Sequence, residues 1–120
     1  MTDVDPRVEQ AQTLFWEIEA LRRDGRMNEA SPKLQAMALL HEQRAIELLE
    51  ARDAEGWVDL FAAVTAFADA GLVDRAARLL LHGRDLLERF KAGRSAVLSE
   101  LQATEEWLRA KQNPPRRKSA

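Results

Sequence analysis

The sequence offers few residues whose types and spacing could carry out catalysis. His41 and Glu42 begin the H-E-x-x-H pattern of zinc proteases, but Ala45 stands where the second histidine is needed. The chain has no cysteine, and it contains neither a glycine-rich phosphate loop nor a G-x-S-x-G nucleophile motif. Its two histidines could meet only across helices. We therefore expect no metal site and no cofactor, and we predict that the protein is not an enzyme.

One pair of residues is compatible with RNA cleavage. Arg75 and His82 are seven positions apart, so they share one face of a helix. This spacing resembles the Arg-x6-His signature of HEPN-domain ribonucleases, small all-α proteins. The resemblance implies that the histidine acts as general acid or base and that the arginine binds phosphate. The family usually has a polar residue after the arginine, whereas this chain has Ala76. A HEPN-like ribonuclease is the lowest-ranked alternative, and a pair of solvated helix charges explains the same residues.

Basic residues in the second half of the chain raise nucleic-acid binding as another alternative. They are Arg75, Arg78, Arg84, Arg89, Lys91, Arg94, Arg116, Arg117 and Lys118. Acidic residues are interleaved with them, and no aromatic residue alternates with them as base-stacking platforms require. Pairs such as Asp85 with Arg89 explain several of them as surface salt bridges. Because the formal net charge is −2, nucleic-acid binding ranks below protein binding.

Length and composition favour one soluble helical domain. The chain has 120 residues, which fits a single domain, with only five glycines and four prolines. No convincing alternating strand pattern is present, so we predict an all-α fold. The domain should cover 1–112, followed by a flexible basic tail over 113–120. No apolar run approaches the roughly 20 residues that span a bilayer, the start is not a signal peptide, and the absence of cysteine suits the cytoplasm.

Apolar periodicity and helix-end residues predict about five antiparallel helices. Asp5 caps the first helix and Gly25 ends it, while Ser31, directly before Pro32, is preferred over Asn28 as the cap of the second. The predicted helices cover about 6–24, 32–52, 56–71, 75–91 and 95–111.

The central element is the third helix, 56–71, which is apolar on nearly every side and must therefore be surrounded by the others. Val64 and Phe67 should be enclosed. Asp74 should cap the fourth helix, which we expect to continue through Gly83 because glycine allows a close neighbour. The first helix should bury an apolar stripe. That stripe consists of Val8, Ala11, Leu14, Phe15, Ile18 and Leu21.

The first two helices and the next two repeat the same pattern after a shift of 46 residues. Equivalent positions are Leu14 and Leu60, Ile18 and Val64, Leu21 and Phe67, Gly25 and Gly71, Met27 and Val73, Asn28 and Asp74, Ala30 and Ala76, and Leu34 and Leu80. This half-pattern resembles the tetratricopeptide repeat family, with a turn glycine and a packing alanine in each hairpin. The chain departs from the family in its longer period, in Pro32 and in the missing terminal proline. The resemblance implies a TPR-like α-hairpin array, and a plain helical bundle is the related alternative.

What the resemblance implies is a non-catalytic protein-interaction module, such as an adaptor, chaperone or regulatory partner of another protein. The first helix of each hairpin and the fifth helix would line one concave face, and the predicted partner-binding residues there are Trp16, Glu17, Asp59, Asp69 and Glu105. An acidic groove would suit a basic or extended peptide. We expect Trp57 and Trp107 to pack inside and Trp16 to be exposed, where it contacts a partner or a second subunit of a homodimer.

Overall fold

The computed structural model describes residues 5–89 and 95–112, and within these ranges the chain forms five α-helices and no strand. The helices are α1 (Pro6–Arg23), α2 (Met27–Glu50), α3 (Gly56–Asp69), α4 (Val73–Arg89) and α5 (Ser95–Gln112). The prediction of an all-α fold with five helices is confirmed. The predicted end of the fourth helix at Lys91 and the predicted tail over 113–120 lie outside the described residues.

The first and third helices end in the same way, as their glycines predict. Gly25 has φ +70° and Gly71 has φ +85°, in the left-handed region that favours glycine. The amide of Arg26 donates to the carbonyl of Leu21 at 2.8 Å, and the corresponding amide of Leu72 donates to Phe67 at 2.8 Å. These bonds close Schellman-type turns, which reverse the chain into the next helix.

The predicted start of the second helix is wrong. Neither Ser31 nor Asn28 caps α2, because the helix begins at Met27 and contains Pro32 in its second turn. Ala30 is fully buried and Leu34 is 3% exposed, so packing of this first part of α2 outweighs the hydrogen bond that proline cannot donate. The predicted cap of the fourth helix is also wrong, because α4 begins at Val73, two residues before the predicted start, and Asp74 lies in its first turn.

The third helix is the centre of the core, as predicted. Leu60, Val64 and Phe67 are each 0% exposed, and α3 packs against α2, α4 and α5. Gly83 is buried inside the continuous α4, where a Cβ atom would lie 2.8 Å from Cδ1 of Leu60. The prediction that another helix approaches closely at Gly83 is confirmed, and that helix is α3.

The helices form a two-layer array. Each one packs on the next in the chain, and α2 also contacts α4 while α3 contacts α5, but α1 makes no contact with α3 within the described part of the chain. The molecule measures 54 × 34 × 19 Å, and its least dimension is that of two helix diameters of ~10 Å. None of the described helices is long and apolar enough to cross a membrane.

The apolar stripe of α1 is only partly buried, contrary to the prediction. Ala11 and Ile18 are buried, but Val8 is 41% exposed and Phe15 is 43% exposed. The reason is that α1 packs on α2 alone, so the side of the stripe that faces α3 has nothing to cover it. That uncovered side forms one wall of a groove.

The second helices of the two hairpins bury equivalent residues to the same degree, whereas on the first helices Leu14 and Leu21 are only partly buried and their equivalents Leu60 and Phe67 are fully buried. Ala30 and Ala76 are both 0% exposed, and Leu34 and Leu80 are both 3% exposed. A small alanine lets the paired helices approach closely near the turn, and the leucine fills the space beyond it. The resemblance to tetratricopeptide repeats itself stays a prediction.

Candidate functional site

The main concavity of the described residues is a groove between α1 and α3, with α2 as its floor. Its volume is about 1050 Å³, at the upper end of the roughly 300–1,000 Å³ of typical ligand pockets. It runs along the helices, because residues from Arg7 to Arg22 of α1 and from Val58 to Asp69 of α3 line it. The groove exists because the first and third helices do not meet.

Exposed apolar side chains border this groove. Trp16 is 60% exposed and its ring lies 5.2 Å from that of Phe15 in an edge-on arrangement. Val58 of α3 is 74% exposed, and Val8 is also exposed. All four residues line the groove. Clustering of large apolar side chains at one open groove is typical of an interaction surface, whereas scattered ones are ordinary.

A buried carboxylate lies at the end of the groove where α1 and α3 begin. Asp59 is 6% exposed; one of its oxygens is 2.9 Å from Nδ1 of His41, and the other accepts a hydrogen bond from Arg44. His41 and Arg44 are one turn apart on α2, so both side chains reach the carboxylate of α3. Asp59 therefore joins the floor of the groove to one of its walls.

The same network continues from α2 to α1. Nε of Arg44 lies 3.6 Å from the carboxylate of Asp5, which also accepts from Nη2 of Arg7 at 2.8 Å. Nη2 of Arg7 in turn donates to Glu47 at 2.6 Å. The hydrogen bonds from Arg7 lower the pKa of Asp5 from 3.8 to about 2 and lower the pKa of Glu47, because they favour the ionised carboxylates.

The predicted partner-binding residues are divided between this groove and other surfaces. Trp16, Asp59 and Asp69 line the groove, whereas Glu17 and Glu105 do not. Glu17 accepts a hydrogen bond from Lys33, and Glu105 accepts one from Nε of Arg84 at 2.8 Å. The prediction that Trp16 is exposed is confirmed.

The other two tryptophans differ from each other. Trp57 is buried at 9% exposure, as predicted. Trp107 is 37% exposed, so the prediction that it packs inside holds only for part of its surface. The ammonium of Lys111 covers its ring at 4.9 Å from the centroid, and the same ammonium is 4.0 Å from Asp69.

Several groove residues were missed by reasoning from the sequence. Val58 looked like a core residue because the whole of α3 is apolar, and Val8 and Phe15 fitted a buried stripe. Only the missing contact between α1 and α3 exposes them, and no local pattern in the sequence signals that. The pairing of Asp59 with His41 and Arg44 could have been suspected, since a carboxylate in an apolar helix needs partners.

The residues of the ribonuclease-like signature lie on the opposite side of α2, in a shallow depression. Arg75 donates to Glu42 at 3.4 Å and its guanidinium lies 4.6 Å from the centroid of the Phe67 ring. His82 is exposed and lines the same depression with Arg78. Arg75 is therefore engaged in holding α4 against α2 and α3.

The basic residues considered for nucleic-acid binding are largely paired where the structure describes them. Arg84 bonds to Glu105, Arg89 donates to Asp85 at 2.9 Å, and Arg75 bonds to Glu42. Lys91, Arg94 and the basic residues of 113–120 lie outside the described ranges. Over 5–89 and 95–112, the structure contains no group of three or more His, Asp or Glu side chains that could hold a metal ion.

Comparisons with protein-family models, with curated proteins and with solved structures give no match for this chain. The groove is therefore the feature of this molecule that points to a function.

Proposed function

We propose that this chain is a non-catalytic protein-interaction module, which binds a helical segment of a partner protein in the groove between α1 and α3. The observation that carries the proposal is the open groove bordered by the exposed side chains of Val8, Phe15, Trp16 and Val58. Leaving such side chains in water is unfavourable by about 25 cal/mol per Å² of apolar area. A partner that covers them recovers this free energy.

A helix suits this groove better than an extended strand. The walls α1 and α3 both run antiparallel to α2, and the backbones of the two walls do not approach each other. A helix of ~10 Å diameter can pack against all three, in the way that helices of this chain pack on each other. The described chain also offers no exposed sheet edge for strand addition. Helix-in-groove binding therefore fits the architecture.

We further propose that the array is TPR-like and that its role is that of an adaptor, chaperone or regulatory partner, acting in the cytoplasm. The Gly, Ala and Leu positions shared by the two hairpins support the first part. The cysteine-free sequence suits a reducing compartment. A homodimer in which α1 of a second copy covers the groove is the alternative occupant.

The experiment that tests the proposal is site-specific photo-crosslinking from the groove. A photoreactive phenylalanine analogue replaces Thr65, an exposed residue of the groove, and the crosslinked segment is mapped by mass spectrometry. That segment is then synthesised and its affinity is measured by calorimetry. We expect a helical segment whose affinity falls at least about tenfold in Trp16→Ala and in Val58→Glu.

Leu81→Glu is the matched control, because Leu81 is an apolar residue that is 66% exposed on α4 and does not line the groove. This variant should bind the segment normally. Equal losses in Leu81→Glu and Val58→Glu, or normal binding by Trp16→Ala, would contradict the proposal. A crosslink to a second copy of the chain, with a change in molar mass by light scattering, would identify the homodimer instead.

A further inference from the structure

We infer that the segment bound in the groove is a basic amphipathic helix, which places a cationic side chain against Glu55 and His41. This inference rests on the proposed function and adds the chemistry of the occupant. It follows from the balance of charge around the groove and from two polar groups that the described residues leave unpaired.

The charged residues in and beside the groove carry a net negative charge. The lining includes Arg7, Arg22 and Arg44 against Glu19, Glu55, Asp59 and Asp69. Two more carboxylates, Asp5 and Glu47, bind Arg7 from beside the groove, and Lys111 lies 4.0 Å from Asp69. Six carboxylates thus face four cations, which leaves a net charge of −2. The field at the groove attracts a positively charged partner.

The arginines at this end already form ion pairs with carboxylates of the chain, although the buried Nε of Arg44 has no hydrogen-bond partner among the described residues. Arg7 lies between Asp5 and Glu47, and Arg44 lies between Asp59 and Asp5. The hydrogen bonds of Arg7 go to carboxylates that stay ionised near neutral pH, since Arg7 lowers the pKa values of both Asp5 and Glu47. An anionic ligand would have to compete with these carboxylates.

Two acceptors at the same end are unpaired among the described residues. Glu55 lines the groove just before α3, and its carboxylate forms no ion pair with any residue that the structure describes. His41 uses Nδ1 for Asp59, and its Nε2 has no hydrogen-bond partner among the described residues; Nε2 accepts a hydrogen bond when the proton of the ring is on Nδ1 alone. A Lys or Arg side chain can donate to either group, whereas a carboxylate cannot.

The apolar part of the groove sets the remaining requirement for the occupant. Val58 presents apolar surface at the end of the groove that holds these acceptors, and Phe15 and Trp16 present apolar surface farther along the same groove. A helix with an apolar stripe and cations beside it meets both surfaces at once. A peptide that is basic but not amphipathic would meet only the acceptors.

The test uses three synthetic 18-residue amphipathic helical peptides as probes. They share one Leu/Ala apolar face, and their polar faces consist of Lys, Gln or Glu. Affinities for the full chain are measured by fluorescence anisotropy at low and at physiological salt. We expect the Lys peptide to bind at least about tenfold more tightly than the Glu peptide at low salt, with the Gln peptide between them, and the preference should shrink as salt is added.

Variants connect this preference to the groove. Glu55→Gln should weaken binding of the Lys peptide about threefold and leave the Gln peptide unchanged. Glu106→Gln, a change at an exposed residue of α5 outside the groove, should alter neither. Trp16→Ala should weaken all three peptides, because each buries its apolar face against the same ring.

The outcomes of these experiments distinguish a failure of the charge inference from a failure of the proposed helix binding. If the three peptides bind equally and all lose affinity in Trp16→Ala, the groove binds helices but the inference about charge is wrong. A second outcome is that the Lys peptide binds best but Glu55→Gln and Glu106→Gln reduce its affinity equally. The preference is then a general effect of net charge, and the proposed contact of a cationic side chain with Glu55 is wrong. If no peptide binds at about 1 mM, or binding ignores Trp16→Ala, the proposed function itself is overturned.

Discussion

Asp59 shows how one polar residue can be tolerated inside an apolar helix. The residue is only 6% exposed, and both of its carboxylate oxygens have partners on α2. Burying a charge is costly unless it is paired and hydrogen-bonded, and His41 and Arg44 supply that pairing. In the free protein, the primary role of Asp59 is therefore to hold α3 against α2.

Replacing Asp59 should accordingly reduce stability. Asp59→Ala leaves the guanidinium of Arg44 half-buried without its main partner, and loss of one member of a buried ion pair costs about 3–5 kcal/mol. Because the Arg44 side chain remains 21% exposed, we expect a smaller loss of about 2–3 kcal/mol in the free energy of unfolding. Urea denaturation followed by circular dichroism measures it.

Asp69→Ala is the control for this prediction. The Asp69 side chain is 35% exposed and 4.0 Å from Lys111, so its removal should change the free energy of unfolding by less than about 0.5 kcal/mol. Similar losses in the two variants would show that the pairing on α2 does not hold Asp59 in place.

The sequence predicts the conformation or burial of some residues but not of others. Gly25 and Gly71 predict left-handed turns because few other residues adopt that conformation. Helical spacing places Trp16 outside the apolar stripe of α1 and so predicts its exposure. The burial of Asp59 and the exposure of Val8 were not predictable in this way. Both depend on which helices meet across the molecule, which is a tertiary property.

Among the described helices, α2 is the one whose start differs most from the prediction. A proline usually stands in the first turn, so Pro32 indicated a start at Ser31. The helix instead begins at Met27, and Arg26 donates to Glu29 across its first turn at 2.6 Å. The end of α2 carried no glycine signal either, because Arg52 takes the left-handed position with φ +61°. Packing of Ala30 and Leu34 decided the start.

Pro32 should therefore lower the stability of α2. Pro32→Ala restores an amide that can donate to the carbonyl of Asn28 within the helix, and proline in a helix interior costs up to about 3 kcal/mol. Part of the gain is offset because alanine makes the unfolded chain more flexible. We expect the free energy of unfolding to rise by about 1 kcal/mol, measured by urea denaturation.

Pro6→Ala provides the comparison at a position where proline is favoured. Pro6 is the first residue of α1, where the missing amide costs nothing. This variant should be neutral or slightly less stable. If Pro6→Ala raised the free energy of unfolding as much as Pro32→Ala, the higher helix propensity of alanine would explain both gains, and the interior position of Pro32 would not be their cause.

The beginning of α1 is connected to α2 by a pH-dependent contact. The hydrogen bonds from Arg7 lower the pKa of Asp5 from 3.8 to about 2. A carboxyl whose pKa is lower in the folded state stabilises the fold above the unfolded value and loses this contribution as the pH falls. The Asp5 contribution should therefore be complete above about pH 4 and disappear by about pH 2.

Asp5→Asn should reveal this window in thermal unfolding. Its Tm should be below that of the wild type at pH 7, and the difference should close between about pH 4 and pH 2. Asp24→Asn changes an exposed carboxylate that forms no ion pair or side-chain hydrogen bond with a described residue, so its difference from the wild type should lack this pH dependence. A Tm difference for Asp5→Asn that persists unchanged at pH 2 would contradict the assignment.

The molecule as a whole is an open array, and its shape follows from which helices meet. Its radius of gyration is 15.7 Å, compared with about 13–14 Å for a compact domain of this length. The sequence predicted five helices and a central α3 because those features are local or depend on apolar content. It did not predict that α1 and α3 stay apart, because that depends on the angle at which successive hairpins stack.

This arrangement predicts a gradient of local stability along the chain. Among the described helices α1 contacts only α2, whereas α3 contacts α2, α4 and α5, so α1 can open without breaking the core around Phe67. Hydrogen exchange followed by mass spectrometry should show the slowest exchange in α3 and protection factors at least about tenfold lower in α1, which corresponds to about 1.4 kcal/mol. The wall of the groove formed by α1 would then be free to adjust to a bound helix. Equal protection in α1 and α3 would instead show that the array opens as one unit, and a rigid groove would have to accept its partner without adjustment.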